Sequence, residues 1–206
     1  MTLAIFDLDN TLIGGDSDHL WGCFVCEQGL VDGADFAARN EQFYEDYKAG
    51  TLDIDAYLRF ALSPLVGHSK EQLDAWHREF MASKIMPIML PRATELIDRH
   101  RQQDHELLIV TATNSFITGP IAQALGIDEL LACEGEIVDG RYTGEPSGVL
   151  TYHRGKVTRL RQWLQGRDTS LEGAWFYSDS HNDLPLLELV DNPVAVAPEE
   201  TLRGRA

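Results

Sequence analysis

The sequence predicts an α/β protein, in which a doubly wound parallel sheet forms a core and an all-helical segment is inserted into it. Short apolar runs alternate with helical patterns after residue 90, as expected for parallel strands covered by helices on both faces. One more apolar run, residues 3–6, is separated from the others by residues 16–90, where apolar positions recur at helical spacing. We therefore predict a core formed by residues 1–15 and 91–206 and a helical cap formed by residues 16–90.

The elements follow in order. A strand covers residues 3–7, and three amphipathic helices separated by glycines follow it in the cap. Ser69 and Gln72 have the spacing of a capping box, which predicts a further helix that runs toward Met86. In the core, the pattern predicts helices over 92–101, 116–125, 154–164 and 184–190, and strands over 107–111, 130–133, 174–177 and 194–196. Asp139-Gly140 indicates a hairpin turn.

Composition limits the class of protein. The 206 residues are 44% hydrophobic, enough for one substantial core with a small second lobe. The formal charge of −16 disfavours binding to nucleic acid or to anionic membranes. No uninterrupted apolar run is long enough to span a membrane, and three cysteines suit a reducing compartment, so we expect a cytoplasmic protein. Cys23-x-x-Cys26 has the spacing of a redox or zinc pair, but its apolar neighbours favour a structural role in a helix.

Two carboxylates directly follow the first strand. Asp7 and Asp9 point to the same side because side chains alternate along a strand. Two close carboxylates repel each other and lose hydration, so a cation is needed to compensate them. Mg²⁺ takes such oxygen ligands and keeps positions open for substrate phosphate and water. The alternative is a solvated loop after a strand.

Other polar groups follow later strands, at the edge where ligands bind in open α/β sheets. Thr111-Ala112-Thr113 precedes a helix, where free amides and a hydroxyl form an anion site or an ordinary cap. Lys156 begins a helix, a poor position for a cation, so it is either a solvated surface lysine or a partner for phosphate or the acids. Asp179, Asn182 and Asp183 follow another strand and add oxygen ligands for Mg²⁺.

Together these motifs resemble the haloacid dehalogenase-like superfamily of phosphohydrolases. Their order, spacing and strand context are similar to those of its phosphoserine phosphatase-like branch, which carries a helical cap between the first and second motifs. The resemblance covers essentially the whole chain. The motifs are Asp7-x-Asp9-x-Thr11, Thr111, Lys156 and Asp179-x-x-x-Asp183.

The resemblance implies a role for each motif. Asp7 is expected to attack phosphorus and form an aspartyl-phosphate. Asp9 is expected to act as general acid and then as general base, and its presence argues for a phosphatase or phosphotransferase rather than a dehalogenase. Mg²⁺ is expected to bind the carboxylates of Asp7 and Asp179 and the backbone carbonyl of Asp9, with Asp183 orienting metal-bound water or Lys156. The phosphoryl group is expected to contact Thr111 and Lys156, with Thr11, Ala112, Thr113 and Asn182 around it.

The cap is expected to select the substrate, a small phosphate ester. In phosphoserine phosphatases an acid after the first motif binds the substrate ammonium, and a cap arginine binds its carboxylate. Asp16 falls at the position of the acid. The arginine position, counted from Gly50, falls on Ala61, and Arg59 lies two residues earlier. If that count holds, the carboxylate ligand is missing and phosphoserine is disfavoured.

An amino-bearing phosphate without a carboxylate is the better candidate. The chain is similar to bacterial members of this branch that dephosphorylate L-histidinol phosphate. Three residues are placed to bind the ammonium and imidazole groups of that substrate: Asp16, Asp18 and His19. The same acids also suit an ordinary helix start. Two further alternatives stay open: a phosphotransferase that passes the phosphoryl group to an alcohol, and a regulatory protein that binds a phosphate ligand without catalysis. The oligomeric state does not follow from the sequence.

Overall fold

The computed structural model describes residues 2–196, so the last ten residues assigned to the core lie outside the described part. Six strands form one sheet in this part of the chain. They are β1 (Leu3–Phe6), β2 (Glu106–Asn114), β3 (Glu129–Val138), β4 (Arg141–Ser147), β5 (Trp175–Ser178) and β6 (Asn192–Ala195). Their order is β4-β3-β2-β1-β5-β6, and every neighbouring pair is parallel except β3 and β4. The predicted doubly wound α/β fold is confirmed.

The helices alternate with the strands after residue 90, and four of them lie in the inserted segment. The helices are α1 (Ser17–Glu27), α2 (Gly33–Ala49), α3 (Ile54–Leu62), α4 (Lys70–Phe80), α5 (Pro91–Arg101), α6 (Ser115–Ala124), α7 (Arg154–Leu164) and α8 (Leu184–Leu187). Shorter turns lie at Ser63–Leu65, Met81–Ile85, Met86–Ile88 and His181–Asp183. Ser69 and Gln72 form the predicted capping box at the start of α4.

Several predicted bounds differ from the structure; α8, predicted to reach residue 190, ends at Leu187, and β6, predicted over 194–196, covers Asn192–Ala195. Strand β3 was predicted to end at Cys133, but it continues to Val138 because its polar second half pairs with β4 across the predicted hairpin. Strand β2 continues past Thr111 to Asn114, whose side chain caps α6. Helix α4 ends at Phe80. The chain then continues through a wider turn, Met81–Ile85, and a tighter turn, Met86–Ile88, which contains Pro87, a residue without an amide hydrogen.

The inserted helical segment is joined to the core at both of its ends. An isolated bridge pairs Ile13 with Met89, and the Gly14 amide donates to the Ile88 carbonyl at 2.8 Å. The entry and exit of the segment therefore lie side by side. One apolar cluster includes Phe6 from the sheet together with Trp21 from α1, so this helix packs into the core. The division into core and cap at residues 15 and 90 stays a prediction.

Three strands place the candidate site at one edge of the sheet. Phe6, the last residue of β1, lies in register with Ile109 of β2 and Tyr177 of β5. The amide of Asp7 continues this pairing, since it donates to the Tyr177 carbonyl at 2.9 Å. Because the three strands are parallel, the residues that follow them meet at their carboxyl ends.

Candidate active site

The turn after β1 brings Asp7 and Asp9 into one buried region. The amides of Leu12 and Ile13 both donate to the Leu8 carbonyl, which closes a tight turn. Asn10 has a φ of 54°, in the left-handed region that asparagine tolerates better than most residues. Asp7 is buried and Asp9 is half-buried at this turn.

Lys156, from the first turn of α7, lies between two carboxylates. Its Nζ donates to Asp7 Oδ1 at 2.8 Å and contacts both carboxylate oxygens of Asp183, at 2.7 and 2.8 Å. The Ser178 hydroxyl also donates to Asp183, at 2.8 Å. Asp183 is therefore held by its own contacts and positions the ammonium of Lys156, one of the two roles predicted for it.

Asp179 has a different set of partners. The Thr11 hydroxyl donates to Asp179 Oδ1 at 3.2 Å and accepts from the Asp179 amide at 3.1 Å. Thr11 thus ties the turn after β1 to the turn after β5. The structure places Thr11 against Asp179, while the sequence analysis assigned it to the phosphate site.

Asp9 is held by the start of α1 and by β2. Its Oδ1 accepts from the Ser17 amide at 2.7 Å, and its Oδ2 accepts from the Thr113 hydroxyl at 2.8 Å. The Thr113 amide in turn donates to the Thr111 hydroxyl at 3.2 Å. These contacts fix the orientation of the Asp9 carboxylate beside Asp7, which a residue that exchanges protons with a substrate requires.

The buried charges of the site do not balance. Burial, with the neighbouring Asp183 and Asp9 charges, raises the pKa of Asp7 to about 7 even though Lys156 opposes the shift. Burial and Asp16 raise the pKa of Asp9 to about 7. Burial and the Asp7 charge raise the pKa of Asp179 to about 8. Burial opposes the charged form of Lys156, but Asp183 and Asp7 raise its pKa above the ordinary value.

Because the pKa values of Asp7 and Asp179 are raised, a further cation beside them would stabilise their charged forms. Within residues 2–196 no three side chains of the His, Cys, Asp and Glu types are arranged to hold a metal ion. Mg²⁺ needs fewer protein ligands, because one or two carboxylates with substrate phosphate and water complete its octahedral shell. The two buried carboxylates, Asp7 and Asp179, therefore suit Mg²⁺ better than a metal that demands a full protein cage.

A cavity extends from this site between the sheet edge and helices α1, α2 and α3. Its floor is formed by Asp7, Asp9, Thr111, Ala112 and Thr113. Its walls are acidic, polar and aromatic, and they are formed by Asp16, Asp18, His19, Asn40, Phe43, Tyr44, Tyr47, Leu52, Ile54 and Tyr57. No lysine or arginine of the described chain is among these lining residues.

Two of the predicted site residues have other partners. Arg59 on α3 forms ion pairs with Asp55 and Glu145 and does not line the cavity, so the prediction that it binds substrate is not supported. The reason is its helix face, which is turned toward β4. Asn182 donates to the Tyr47 carbonyl and accepts from the Tyr152 hydroxyl, both at 3.3 Å, and so connects α2 to the turn after β5.

Several residues that line the cavity were not predicted from the sequence. They include Asn40, Tyr44, Tyr47 and Tyr57. The sequence does contain a signal for the cavity, namely three tyrosines within a largely polar helical segment. A tyrosine that faces a cavity is buried but keeps a polar hydroxyl.

Comparisons with known proteins agree with this geometry. The family model described as haloacid dehalogenase-like hydrolase matches residues 4–188. The chain belongs to this family. The prediction of an enzyme from the haloacid dehalogenase-like superfamily is confirmed.

Relatives of this hydrolase cover nearly its whole length. A protein of Neisseria meningitidis serogroup C (strain 8013), named histidinol-phosphatase, is 49% identical over 99% of this chain and 94% of its own. A crystal structure of a protein of unknown function from Bordetella pertussis Tohama I matches with a TM-score of 0.92 and 42% identity, over 100% of this chain and 95% of that one. A substrate-bound phosphoserine phosphatase structure matches with a TM-score of 0.74 and 19% identity, over 100% and 90% of the two chains, and shows the shared fold.

Proposed function

We propose that this hydrolase is a Mg²⁺-dependent phosphomonoesterase that works through an aspartyl-phosphate on Asp7. Bound Mg²⁺ would neutralise the crowded carboxylates and hold phosphoryl oxygens. Its protein ligands would be Asp7, Asp179 and the Asp9 backbone carbonyl. The single observation that carries the proposal is the buried Asp7 carboxylate, which Lys156 holds at 2.8 Å at the floor of a cavity.

The proposed reaction has two displacements. In the first, a carboxylate oxygen of Asp7 forms a bond to phosphorus, the bond to the ester oxygen breaks, and Asp9 gives its proton to the leaving alkoxide. In the second, water attacks phosphorus, Asp9 takes a proton from that water, and the bond to Asp7 breaks to release inorganic phosphate. A pKa near 7 suits Asp9 to both proton transfers at neutral pH.

Lys156 and nearby hydrogen-bond donors would stabilise the negative charge that accumulates on the phosphoryl group. Lys156 supplies a fixed positive charge, and Asp183 keeps the Lys156 ammonium in place. Thr111 and Ala112 line the cavity together with Asp7, and the Thr111 hydroxyl and the Ala112 amide would donate to phosphoryl oxygens. Preorganised donors of this kind are typically worth 10²- to 10³-fold each in rate.

The proposed substrate is a small amino-bearing phosphate ester without a carboxylate, and L-histidinol phosphate is the best candidate. The cavity walls carry Asp16, Asp18 and His19 and, in the described chain, no lysine or arginine. A substrate carboxylate would meet like charges there, whereas an ammonium or imidazole would be attracted. The 49% identity to a protein named histidinol-phosphatase supports the same choice.

The location of the enzyme in the cytoplasm stays a prediction from composition. Among the helices of residues 2–196, none combines the length and the apolar character that crossing a membrane requires. The proposed partner is a small phosphate ester rather than nucleic acid, which the acidic charge of −16 disfavours.

A phosphate-release assay tests the proposal. L-histidinol phosphate, phosphoserine and 4-nitrophenyl phosphate are compared with Mg²⁺ or with EDTA. We expect kcat/KM for L-histidinol phosphate to exceed that for phosphoserine by at least about tenfold, since no lysine or arginine of the described chain lines the cavity to pair with a carboxylate. EDTA is expected to abolish turnover. Equal turnover of the two amino esters would contradict the proposed substrate.

Replacement of the nucleophile tests the mechanism. Asp7→Asn is expected to lower kcat at least about 10³-fold without unfolding the protein, because an amide cannot attack phosphorus. The matched control is Asp35→Asn, an exposed aspartate in the first turn of α2, which is expected to leave kcat unchanged. Undiminished turnover by Asp7→Asn would overturn the covalent mechanism.

A further inference from the structure

Asp18 is the one cavity carboxylate whose oxygens have no regular hydrogen-bond partner in the described chain. It lies at the second position of α1 and is 5% exposed. Neither of its carboxylate oxygens accepts a hydrogen bond of regular geometry, although both are buried. A buried charged group without a partner is costly, so an unpaired carboxylate that faces a cavity indicates a missing ligand.

Asp16, directly before the same helix, already has hydrogen-bond partners for its carboxylate. It is the N-cap residue of α1, and its carboxylate accepts from the His19 amide at 2.8 Å. The Asp18 amide is a second donor to it. These backbone contacts are those of an ordinary helix cap. The carboxylate of Asp16 therefore has a structural task that the carboxylate of Asp18 lacks.

The surroundings of Asp18 suit an organic cation. The Tyr57 hydroxyl faces its carboxylate. The Tyr57 ring lies 5.3 Å from the ring of Phe43, and Tyr44 stacks on His19 at 4.5 Å, so the cavity that Asp18 lines also has aromatic walls. Aromatic walls with one carboxylate attract alkylammonium and imidazolium groups through cation–π contacts and charge-assisted hydrogen bonds. Burial and the neighbouring Asp16 and Asp9 charges raise the pKa of Asp18, so a bound cation would stabilise its charged form.

We infer that Asp18, rather than the capping residue Asp16, binds the cationic nitrogen of the substrate. This inference rests on the proposed function and adds to it the residue that selects the amino-bearing ester. The phosphate end of the substrate lies at Asp7, and the cationic end lies at Asp18. Asp16 is then a positioning residue that holds the start of α1.

Product inhibition tests this assignment without needing turnover of the amino ester. L-histidinol carries the cationic groups and no phosphate, and its inhibition constant Ki is measured against hydrolysis of 4-nitrophenyl phosphate. We expect Asp18→Asn to raise Ki roughly 10- to 100-fold, the effect of removing a buried charge-assisted hydrogen bond. Asp16→Asn keeps a good helix cap and is expected to raise Ki less than about threefold. Asp35→Asn is the exposed control, for which no change in Ki is expected.

The outcomes separate the two proposals. If the wild-type protein hydrolyses L-histidinol phosphate and Asp18→Asn leaves Ki unchanged, the assignment to Asp18 is wrong and the proposed function stands. An equal or larger effect of Asp16→Asn would also overturn the assignment. If the wild-type protein shows neither turnover of L-histidinol phosphate nor inhibition by L-histidinol, the proposed substrate is wrong as well.

The melting temperature of the ligand-free protein distinguishes a binding role of Asp18 from a purely structural one. Replacing a residue that only stabilises the fold would lower this temperature. Asp18→Asn replaces a buried acid whose oxygens have no regular hydrogen-bond partner, so its melting temperature is expected to equal or exceed that of the wild type. A fall of more than about 4 °C would indicate that Asp18 supports the fold, and it would overturn the assignment.

Discussion

The buried ammonium of Lys156 provides the sharpest test of how this site is stabilised. Its Nζ lies 2.8 Å from Asp7 Oδ1 and 2.7 Å from Asp183 Oδ1, and all three side chains are at least 95% buried. At an effective dielectric constant near 20, each contact is worth about 6 kcal/mol of Coulomb attraction, which the desolvation of the ions largely offsets. Removing one member of a buried ion pair leaves the other charge buried and unpaired, which typically lowers the free energy of unfolding by about 3–5 kcal/mol.

We therefore expect Lys156→Met to lower the free energy of unfolding by about 3–5 kcal/mol. Asp183→Asn should cost less, because Lys156 keeps Asp7 as a partner. The double variant removes one charge of each sign, so its loss should be smaller than the sum of the two single losses. Urea unfolding, followed by circular dichroism in the presence of EDTA, measures all three changes.

A surface ion pair of the same length is the control. Lys70 Nζ lies 2.7 Å from Asp74 on α4, with the lysine side chain 77% exposed. Lys70→Met is expected to cost less than about 1 kcal/mol, because water screens this pair. A loss for Lys156→Met no larger than that for Lys70→Met, or strict additivity in the double variant, would refute the reasoning.

Two further predictions concern packing and pH. Gly22→Ala is expected to destabilise by about 1–3 kcal/mol, because an added Cβ would lie 2.3 Å from the buried Asn40 side chain. The matched Gly119→Ala in α6 meets nothing within 4 Å and is expected to stabilise by about 0.5–1 kcal/mol; urea unfolding of both variants checks the signs, and equal effects would contradict the packing argument. Burial, followed by the His105 charge, lowers the pKa of His100 from 6.5 to about 4. Between pH 6.5 and pH 4 the unfolded state therefore binds one more proton than the folded state, so the free energy of unfolding falls as the pH drops through this range. His100→Gln lacks this titration, so wild type should lose about 2 kcal/mol more than the variant between pH 7.5 and pH 5; identical pH profiles would show that His100 does not titrate in this way.

Much of the fold followed from local pattern. Apolar runs between helices indicated the strands of a parallel sheet, and the capping box at Ser69 marked the start of α4. Asp139-Gly140 marked the turn between β3 and β4. The second half of β3 escaped prediction because Glu134, Gly135 and Glu136 have no strand-like apolar alternation, and only pairing with β4 makes them a strand.

The candidate site followed from motif spacing in part. The positions of Asp7, Thr111, Lys156 and Asp179 at strand ends were readable, because a parallel sheet collects the carboxyl ends of its strands at one edge. The role of Arg59 was not readable, since its ion pair with Glu145 joins residues 86 positions apart in the sequence. The different states of Asp16 and Asp18 were equally hidden, because a sequence records two nearby acids and not which oxygens are already bonded.

By itself, the sequence determined which segments form strands and helices and which polar residues follow the strands, since periodicity and covalent spacing are local properties of the chain. Only the tertiary structure decided the partners of the buried charges. Lys156 and Asp7 are 149 positions apart, yet they lie 2.8 Å from each other. Their contact depends on how α7 packs beside β1, and on the exclusion of water that makes an unpaired charge costly there.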